Sequence, residues 1–164
     1  MLQRMRIAGL TLDPDSNTPI VILKSIEDDR TLNIWIGLME ATSIAAALQN
    51  ISFERPMTHD LFKNFLDLHH FQIAMVEVCD LQDNTFYSRI HFSQGEKRFS
   101  MDARPSDAIA MALRFQSPIC VDDSVLEKVK SGTEGEAADK SEDGEKWAEY
   151  LKKLSADDFG KYKI

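Results

Sequence analysis

Short segments rich in apolar residues alternate with turn signals along this chain, and seven of them predict β-strands. In the segment 85–93, Phe86, Ile90 and Phe92 alternate with polar residues such as Arg89, which is typical of a strand with one face in a core. The predicted strands are residues 3–12, 20–23, 32–36, 72–81, 85–93, 97–102 and 118–121. Short strands joined by tight turns favour a mostly antiparallel sheet.

Four other segments predict helices, and in the first of them apolar residues recur at i, i+3, i+4 and i+7, the spacing of an amphipathic helix. The predicted helices are residues 38–49, 58–69, 105–115 and 122–129. In the second of these, Thr58 is the expected N-cap, and Leu61, Phe65 and Leu68 are expected to face the core.

The predicted elements occur twice in the same order, and short sequence matches accompany them. The matching segments are residues 13–18 with 80–85, and residues 44–48 with 109–113. We interpret the two halves, about residues 3–50 and 72–115, as duplicated β-β-β-α units. Chance similarity between two strand-rich segments is the alternative. The predicted fold class is α+β, in which these units form a mostly antiparallel sheet with helices packed on it.

The composition changes sharply near residue 131, which predicts a domain boundary. Residues 1–130 are expected to form one domain, because they hold almost all of the large apolar side chains. Residues 131–144 are rich in Gly, Glu, Asp and Ser and predict a flexible acidic linker. Residues 145–164 carry an amphipathic stripe that includes Trp147 and Leu151, and we expect a C-terminal helix that docks on the domain or on a partner.

The charge of the chain limits how it can meet a nucleic acid. The net charge is −8, and residues 1–121 and 122–164 each contribute −4, so an acidic tail does not hide a basic body. Binding through general phosphate neutralisation is therefore disfavoured. A nucleic acid would have to be bound at a local basic patch or through bound metal ions.

Nothing in the apolar pattern predicts a membrane protein. The sequence has no apolar run of 18 residues, and its first residues lack the apolar region of a signal peptide. Cys79 and Cys120 lie in apolar segments without Cys-x-x-Cys spacing, which favours free thiols in a reducing compartment. We therefore expect a cytoplasmic location.

Charged residues are concentrated where the sixth predicted strand meets the third predicted helix. Pro105 suits the first position of that helix, and Asp107 lies in the first turn, where the helix dipole favours negative charge. Asp102 and Arg104 precede the helix, and capping explains them less well. The corresponding corner of the first half, residues 37–42, carries far less charge.

These residue types suit phosphodiester hydrolysis. Asp102 and Asp107 are candidate ligands for Mg²⁺ or Mn²⁺, and Arg104 is a candidate clamp for the phosphate. His59 is a candidate general base or metal ligand, and Asp60 would orient it. Glu40 starts the equivalent helix of the first half and is the sixth candidate. The alternative is structural: an Asp102–Arg104 ion pair and ordinary first-turn acidic residues.

Five segments together resemble a known family. They are residues 17–23, 34–41, 55–61, 83–87 and 102–110. In this order they resemble the bifunctional nuclease (BFN) domain family over residues 5–128. The resemblance implies an α+β domain and nuclease activity on both RNA and DNA. The family's motifs include the six charged positions above, from Glu40 to Asp107.

Two functions remain open from the sequence. The first is a nuclease that cleaves RNA or DNA, with or without a divalent cation. The second is a non-catalytic binding or assembly module whose polar motifs hold strand-to-helix corners together. Apolar strand edges and Trp35 also favour a homodimer.

Overall fold

The computed structural model describes residues 1–132, which contain seven strands and four helices. The strands are β1 (Leu2–Leu12), β2 (Pro19–Ser25), β3 (Thr31–Trp35), β4 (Gln72–Gln82), β5 (Thr85–Gln94), β6 (Lys97–Ala103) and β7 (Ile119–Asp122). The helices are α1 (Leu38–Leu48), α2 (Thr58–Leu68), α3 (Pro105–Phe115) and α4 (Asp123–Ser131). Each predicted element is present, with bounds that differ by a residue or two.

All seven strands form a single sheet in the order β3-β2-β1-β7-β4-β5-β6. Every pairing is antiparallel except that between β4 and β7. The hairpin between β4 and β5 turns at Asp83 and Asn84, which both have the positive φ that a type I′ turn needs. The fold is therefore α+β with a mostly antiparallel sheet, as predicted.

The two halves of the chain follow the same order, with three strands and then a helix, and they lie on either side of β7. The descent of both halves from one duplicated unit stays a prediction, since it concerns ancestry rather than arrangement.

One face of the sheet carries the apolar core. Val76 pairs with Ile90, and Val21 pairs with Ile34; all four are buried. Helix α3 lies against β4 and β5 and contributes Ile109, which is fully buried. The opposite face of β4, β5 and β6 is polar. On this face, Arg89 of β5 lies between Glu77 of β4 and Asp102 of β6, and His91 of β5 lies beside Ser100 of β6.

The expected orientation of α2 is wrong. Leu61, Phe65 and Leu68 are 60%, 53% and 74% exposed, whereas Leu66 is buried and Phe62 is half-buried against the core. Both sets fit helical spacing, so the spacing alone cannot choose the buried one. Tertiary contact decides it, because α2 packs against α3 and places Phe62 against Phe92 of β5.

The N-cap of α2 is also one residue earlier than expected. Met57 is the N-cap, Thr58 is the first helical residue, and the Asp60 carboxylate accepts a hydrogen bond from the Met57 backbone N–H at 3.1 Å. The Asp60 carboxylate, and not the Thr58 hydroxyl, therefore accepts from a backbone N–H at this helix start.

The predicted linker and the predicted C-terminal helix lie almost entirely outside the described residues. Within residues 1–132, no helix is long and apolar enough to cross a membrane. In the same range, Cys120 is buried and Cys79 is half-buried, and both are free thiols.

Candidate functional site

Helix α3 begins directly after the edge strand β6, and this corner positions Arg104 and Asp107. Arg104 is the N-cap with extended backbone angles, and Pro105 occupies the first turn, where no backbone donor is required. The Ala108 N–H then donates to the Arg104 carbonyl at 3.0 Å. The corner therefore holds the Arg104 side chain beside the first turn of its own helix.

The Arg104 guanidinium lies between two carboxylates. Its Nε and Nη2 donate to Asp107 at 2.8 and 3.2 Å, and its Nη1 donates to Glu40 Oε1 at 2.8 Å. Glu40 comes from the first turn of α1, so this contact joins the two strand-to-helix corners. The hydrogen bonds to Asp107, the charge of Asp107 and then the bond to Glu40 raise the pKa of Arg104.

Glu40 reaches Arg104 because residue 37 is a glycine. The Glu40 side chain folds back over the start of α1, where a Cβ on Gly37 would collide with Glu40 Oε2. Although residues 37–42 carry little charge, this corner supplies the Glu40 carboxylate that pairs with Arg104 at the start of α3.

His59, in the first turn of α2, contacts Asp107 from the other side. Its Nε2 lies 2.9 Å from Asp107 Oδ1, and its Nδ1 lies 2.7 Å from Ser43 Oγ. Because an ionised carboxylate only accepts, Nε2 carries the proton, and a neutral ring accepts from the Ser43 hydroxyl at Nδ1. Burial would raise the pKa of Asp107, but the hydrogen bonds from Arg104 and His59 outweigh it, so the pKa is lowered.

A second arginine completes the arrangement on the far side of Ser43. Arg114, in the last turn of α3, donates from Nη2 to Ser43 Oγ at 3.2 Å and from Nε to Asp60 Oδ1 at 2.7 Å. Its Nη1 donates to the Ala110 carbonyl at 3.0 Å. The Arg114 side chain is only 7% exposed, compared with 65% for Arg104.

These contacts form one continuous polar network that joins α1, α2 and α3. In order, it runs through Glu40, Arg104, Asp107, His59, Ser43, Arg114 and Asp60. We call Glu40, Arg104 and Asp107 its cleft end, and Ser43, Arg114 and Asp60 its buried end. Five of the six predicted site residues belong to this network. The expectation that Asp60 orients His59 is wrong, since Asp60 binds Arg114 while Asp107 and Ser43 hold the His59 ring.

Sequence reasoning missed Ser43 and Arg114. Ser43 lies one helical turn after Glu40, but an isolated serine in an alanine-rich helix carries no signal of its own. A basic residue in a last helical turn has an ordinary explanation, because it suits the helix dipole. A pairing of α1 with α3 in three dimensions was needed to reveal either residue.

Asp102 is the predicted site residue that stays outside the network. Its carboxylate makes no hydrogen bond or ion pair with any other residue of the described chain, 1–132, and it is exposed near the end of β6. Strand alternation places it with Arg89 on the polar face of the sheet. The Asp102–Arg104 ion pair of the structural alternative is therefore not formed; Arg104 pairs with Asp107 and Glu40 instead.

A shared metal site of Asp102 and Asp107 is not preformed. Both Asp107 oxygens already accept hydrogen bonds from Arg104 or His59. Residues 1–132 contain no group of three or more His, Cys, Asp or Glu side chains arranged to hold a metal ion. Metal binding by these two carboxylates thus remains a prediction.

The cleft end of the network borders a cleft of about 400 Å³ between α2, α3 and β6. Its lining divides into an apolar wall and a polar rim. The apolar wall consists of Phe62, Ile90, Phe92, Met101, Ala103 and Met111, and the polar rim consists of Thr58, His59, Asp102, Arg104 and Asp107. A concave apolar wall with a few converging polar groups is the usual form of a ligand site.

The fold and the cleft define an α+β domain with an arginine and a histidine at one concave site. The chain belongs to the bifunctional nuclease domain family, whose model matches residues 21–134. This match confirms the resemblance carried by the five sequence segments.

Similar proteins occur in bacteria and plants. An uncharacterized protein of Mycobacterium tuberculosis is 35% identical over 161 residues, covering 94% of this chain and 96% of that protein. Bifunctional nuclease 1 of Oryza sativa subsp. japonica is 32% identical over 112 residues, covering 65% of this chain and 34% of the rice protein. Bifunctional nuclease 1 of Arabidopsis thaliana is 30% identical over 108 residues, covering 63% and 33%. The chain thus matches about a third of the length of these plant relatives.

Proposed function

We propose that this protein is a nuclease that hydrolyses phosphodiester bonds of RNA or DNA at the cleft. The observation that carries the proposal is that Arg104, His59 and Asp107 border one cleft in a member of the bifunctional nuclease domain family. The plant relatives named as bifunctional nucleases support the same reaction class.

Arg104 is the proposed phosphate-binding group. Its guanidinium is held by Asp107 and Glu40, yet its side chain is 65% exposed, so donor positions remain open towards the cleft. A planar guanidinium can donate two parallel hydrogen bonds to a phosphate. The two carboxylates limit its rotamers before the substrate arrives, which lowers the entropy cost of binding.

His59 is the proposed proton-transfer group. Its ring is oriented by Asp107 at one nitrogen and by Ser43 at the other, and it borders the cleft. A histidine held in this way can exchange a proton with the attacking water or the leaving oxygen. The lowered pKa keeps Asp107 ionised, so this carboxylate stabilises the imidazolium that forms.

The local charge supports a role for a divalent cation, Mg²⁺ or Mn²⁺. Two carboxylates, of Glu40 and Asp107, contact the single guanidinium of Arg104, Asp102 is a third acidic residue of the cleft lining, and a substrate phosphate adds more negative charge. Mg²⁺ arriving with a phosphate needs only one or two protein carboxylates, and the Asp102 carboxylate at the cleft rim has no hydrogen-bond or ion-pair partner within residues 1–132. When bound, the cation would neutralise charge on the phosphoryl oxygens.

The completeness of the network favours a second candidate, a non-catalytic binding module. Each network side chain has a partner within the domain, and such pairing also holds three helices together without any substrate. The two candidates can be distinguished by cleavage. A nuclease should lose activity when a cleft residue is substituted conservatively, whereas a binding module should not cleave at all.

The test is a cleavage assay with the purified full chain and end-labelled single-stranded RNA and DNA. Each substrate is incubated with Mg²⁺, with Mn²⁺ and with EDTA. We expect cleavage by the wild type and a loss of about 10²-fold or more in His59→Gln and Arg104→Gln. Asp102→Asn is expected to reduce only the cation-dependent part of the rate.

Matched controls come from the opposite face of the sheet and from β1. His91 pairs with Glu77 at 2.7 Å on the polar face, so His91→Gln removes a similar histidine–carboxylate pair away from the cleft. Arg6→Gln removes an exposed arginine of β1. Cleavage that survives His59→Gln and Arg104→Gln as well as it survives the controls would overturn the proposed site. A complete lack of cleavage, with RNA binding retained, would favour the binding module.

A further inference from the structure

Within residues 1–132, the strand β6 leaves one long edge of the sheet open. It is the last strand in the sheet order, and six of its seven residues are exposed. The other edge strand, β3, has five residues, of which Leu32 and Ile34 are buried. Short edge strands are protected from pairing, whereas a long exposed one is a template for another strand.

The hairpin of β5 and β6 shows which residues of β6 direct their backbone N–H and C=O groups towards the open edge. Gln94 pairs with Lys97 across the two-residue turn at Gly95, and the register to β5 continues without a bulge up to Ala103. In such a hairpin the closing pair is hydrogen-bonded, and hydrogen-bonded pairs then alternate with open ones. The backbone groups of Arg98, Ser100 and Asp102 therefore point away from β5 and towards solvent.

We propose that β6 pairs with β6 of a second copy of this chain, antiparallel and centred on Ser100. Ser100 then lies opposite the partner's Ser100, and Arg98 lies opposite the partner's Asp102. Phe99 lies opposite the partner's Met101 on the apolar face. Each position with outward-facing backbone groups meets another such position, so this register completes the hydrogen bonds of both edges.

Charge complementarity selects this register over its neighbours. Directly opposed side chains lie on the same face of a sheet, so each Arg98 would meet a carboxylate, twice in the dimer. A shift that centres the pairing on Phe99 places Arg98 opposite the partner's Ser100 and leaves Asp102 unpaired. A shift that centres it on Met101 places Arg98 opposite the partner's Arg104, which is repulsive. Of these three registers, only the one centred on Ser100 places an opposite charge against Asp102.

Helix α2 presents apolar surface at the same end of the domain. Its apolar stripe, formed by Leu61, Phe65 and Leu68, is more than half exposed at each residue. Such a stripe is unusual on a free surface and typical of a helix that packs against another one.

The contacts of α2 show which way the apolar stripe faces. Asp60 and Lys63 face α3, since Asp60 binds Arg114 and the Lys63 amine lies 5.0 Å from the Phe115 ring. Phe62 faces the sheet. With 3.6 residues per turn, the stripe falls on the side of α2 away from α3, next to the open edge. Strand pairing through β6 would bring the two stripes to the same side of the joined sheet.

One consequence rests on the proposed function. In the Ser100 register, the partner's Lys97 lies opposite Ala103, which lines the cleft. Each copy would thus place an added cation at the mouth of the other copy's cleft, where carboxylates predominate.

Disulfide trapping tests the register directly. In a Cys79→Ser background of the full chain, we expect Ser100→Cys to form a covalent dimer under mild oxidation, because opposed Cα atoms of a hydrogen-bonded pair lie about 5.5 Å apart. The matched control is Arg98→Cys, whose two copies would be about 14 Å apart, four positions along the strand. Equal trapping of both variants, or none of Ser100→Cys, would overturn the register.

A charge-swap series tests the pairing without cysteines. By analytical ultracentrifugation, the wild type is expected to be a dimer, and R98D or D102R alone is expected to weaken the dimer about tenfold or more. The double variant R98D/D102R restores opposite charges at both pairs and is expected to recover the dimer. A monomeric wild type at about 50 μM, or a double variant weaker than both single ones, would overturn the proposal. Neither measurement depends on nuclease activity, so its result is independent of the proposed function.

Discussion

The two ends of the polar network use the same groups in opposite surroundings. At the buried end, the Arg114 side chain is 7% exposed and binds Asp60, Ser43 and a backbone carbonyl. At the cleft end, the Arg104 side chain is 65% exposed and binds Glu40 and Asp107. A buried charge must be fully paired to be tolerated, whereas an exposed one keeps capacity for a ligand. We infer that the buried end holds the helices and that the cleft end is available to substrate.

His59 connects the two ends. Its ring binds Ser43 on one side and Asp107 on the other, so the position of the cleft end depends on the buried end. We therefore expect substitutions of the two arginines to have different effects. Loss of Arg114 should mainly lower stability, and loss of Arg104 should mainly weaken ligand binding.

The largest expected effect is that of Arg114→Met. It would leave the Asp60 carboxylate and the Ser43 hydroxyl without their shared donor, and breaking a buried pair from one side costs about 3 kcal/mol. We expect the free energy of unfolding, measured by urea denaturation, to fall by about this amount. A loss no greater than that of Arg104→Met would contradict the assignment of a buried, stabilising end.

Asp107→Asn is expected to cost less, about 1–2 kcal/mol at neutral pH, because it weakens charge-assisted hydrogen bonds to Arg104 and His59 at a half-buried position. The pH dependence gives the sharper result. Since the folded-state pKa of Asp107 lies below its ordinary value of 3.8, its contribution is complete above about pH 5 and is lost as the pH falls below 3.8. Urea denaturation between pH 7 and pH 2.5 should therefore show a shallower acid loss in the variant than in the wild type. Parallel curves would show that Asp107 does not titrate with folding.

Arg104→Met is expected to lower the free energy of unfolding by less than about 1 kcal/mol, since exposed ion pairs contribute little. Its effect on binding of a short single-stranded RNA should be much larger and should depend on salt. Fluorescence anisotropy at two salt concentrations measures this, with Arg6→Gln as the control. Unchanged RNA affinity would remove Arg104 from the proposed binding site.

The smallest expected effect is that of Gly37→Ala. The added Cβ would collide with the flexible end of Glu40, whose carboxylate can move aside, while the extended backbone at residue 37 tolerates alanine. We expect a change in stability of about 0.5 kcal/mol or less and a phenotype like that of Glu40→Gln in RNA binding. A double variant of the two substitutions that behaves like either single one would confirm that Gly37 acts through Glu40.

The elements of the fold were predictable because their signals are local. Alternation in β5, the turn at Asp83 and Asn84, and Pro105 at the start of α3 each reflect the conformation of a few neighbouring residues. The outward face of α2 was not predictable, because two sets of apolar residues fit the same helix. Only the packing of α2 against α3 and β5 decides between them.

The candidate site shows the same division. The amino-acid sequence by itself determined which corners are charged, and the family motifs lie on the same residues. Only the tertiary structure decided which of them meet: Glu40 with Arg104, His59 with Asp107, and Ser43 with Arg114, while Asp102 remains apart. The physical reason is that charge pairing acts over a few ångströms in space, and residues 64 apart in the chain reach that distance only when α1 packs against α3.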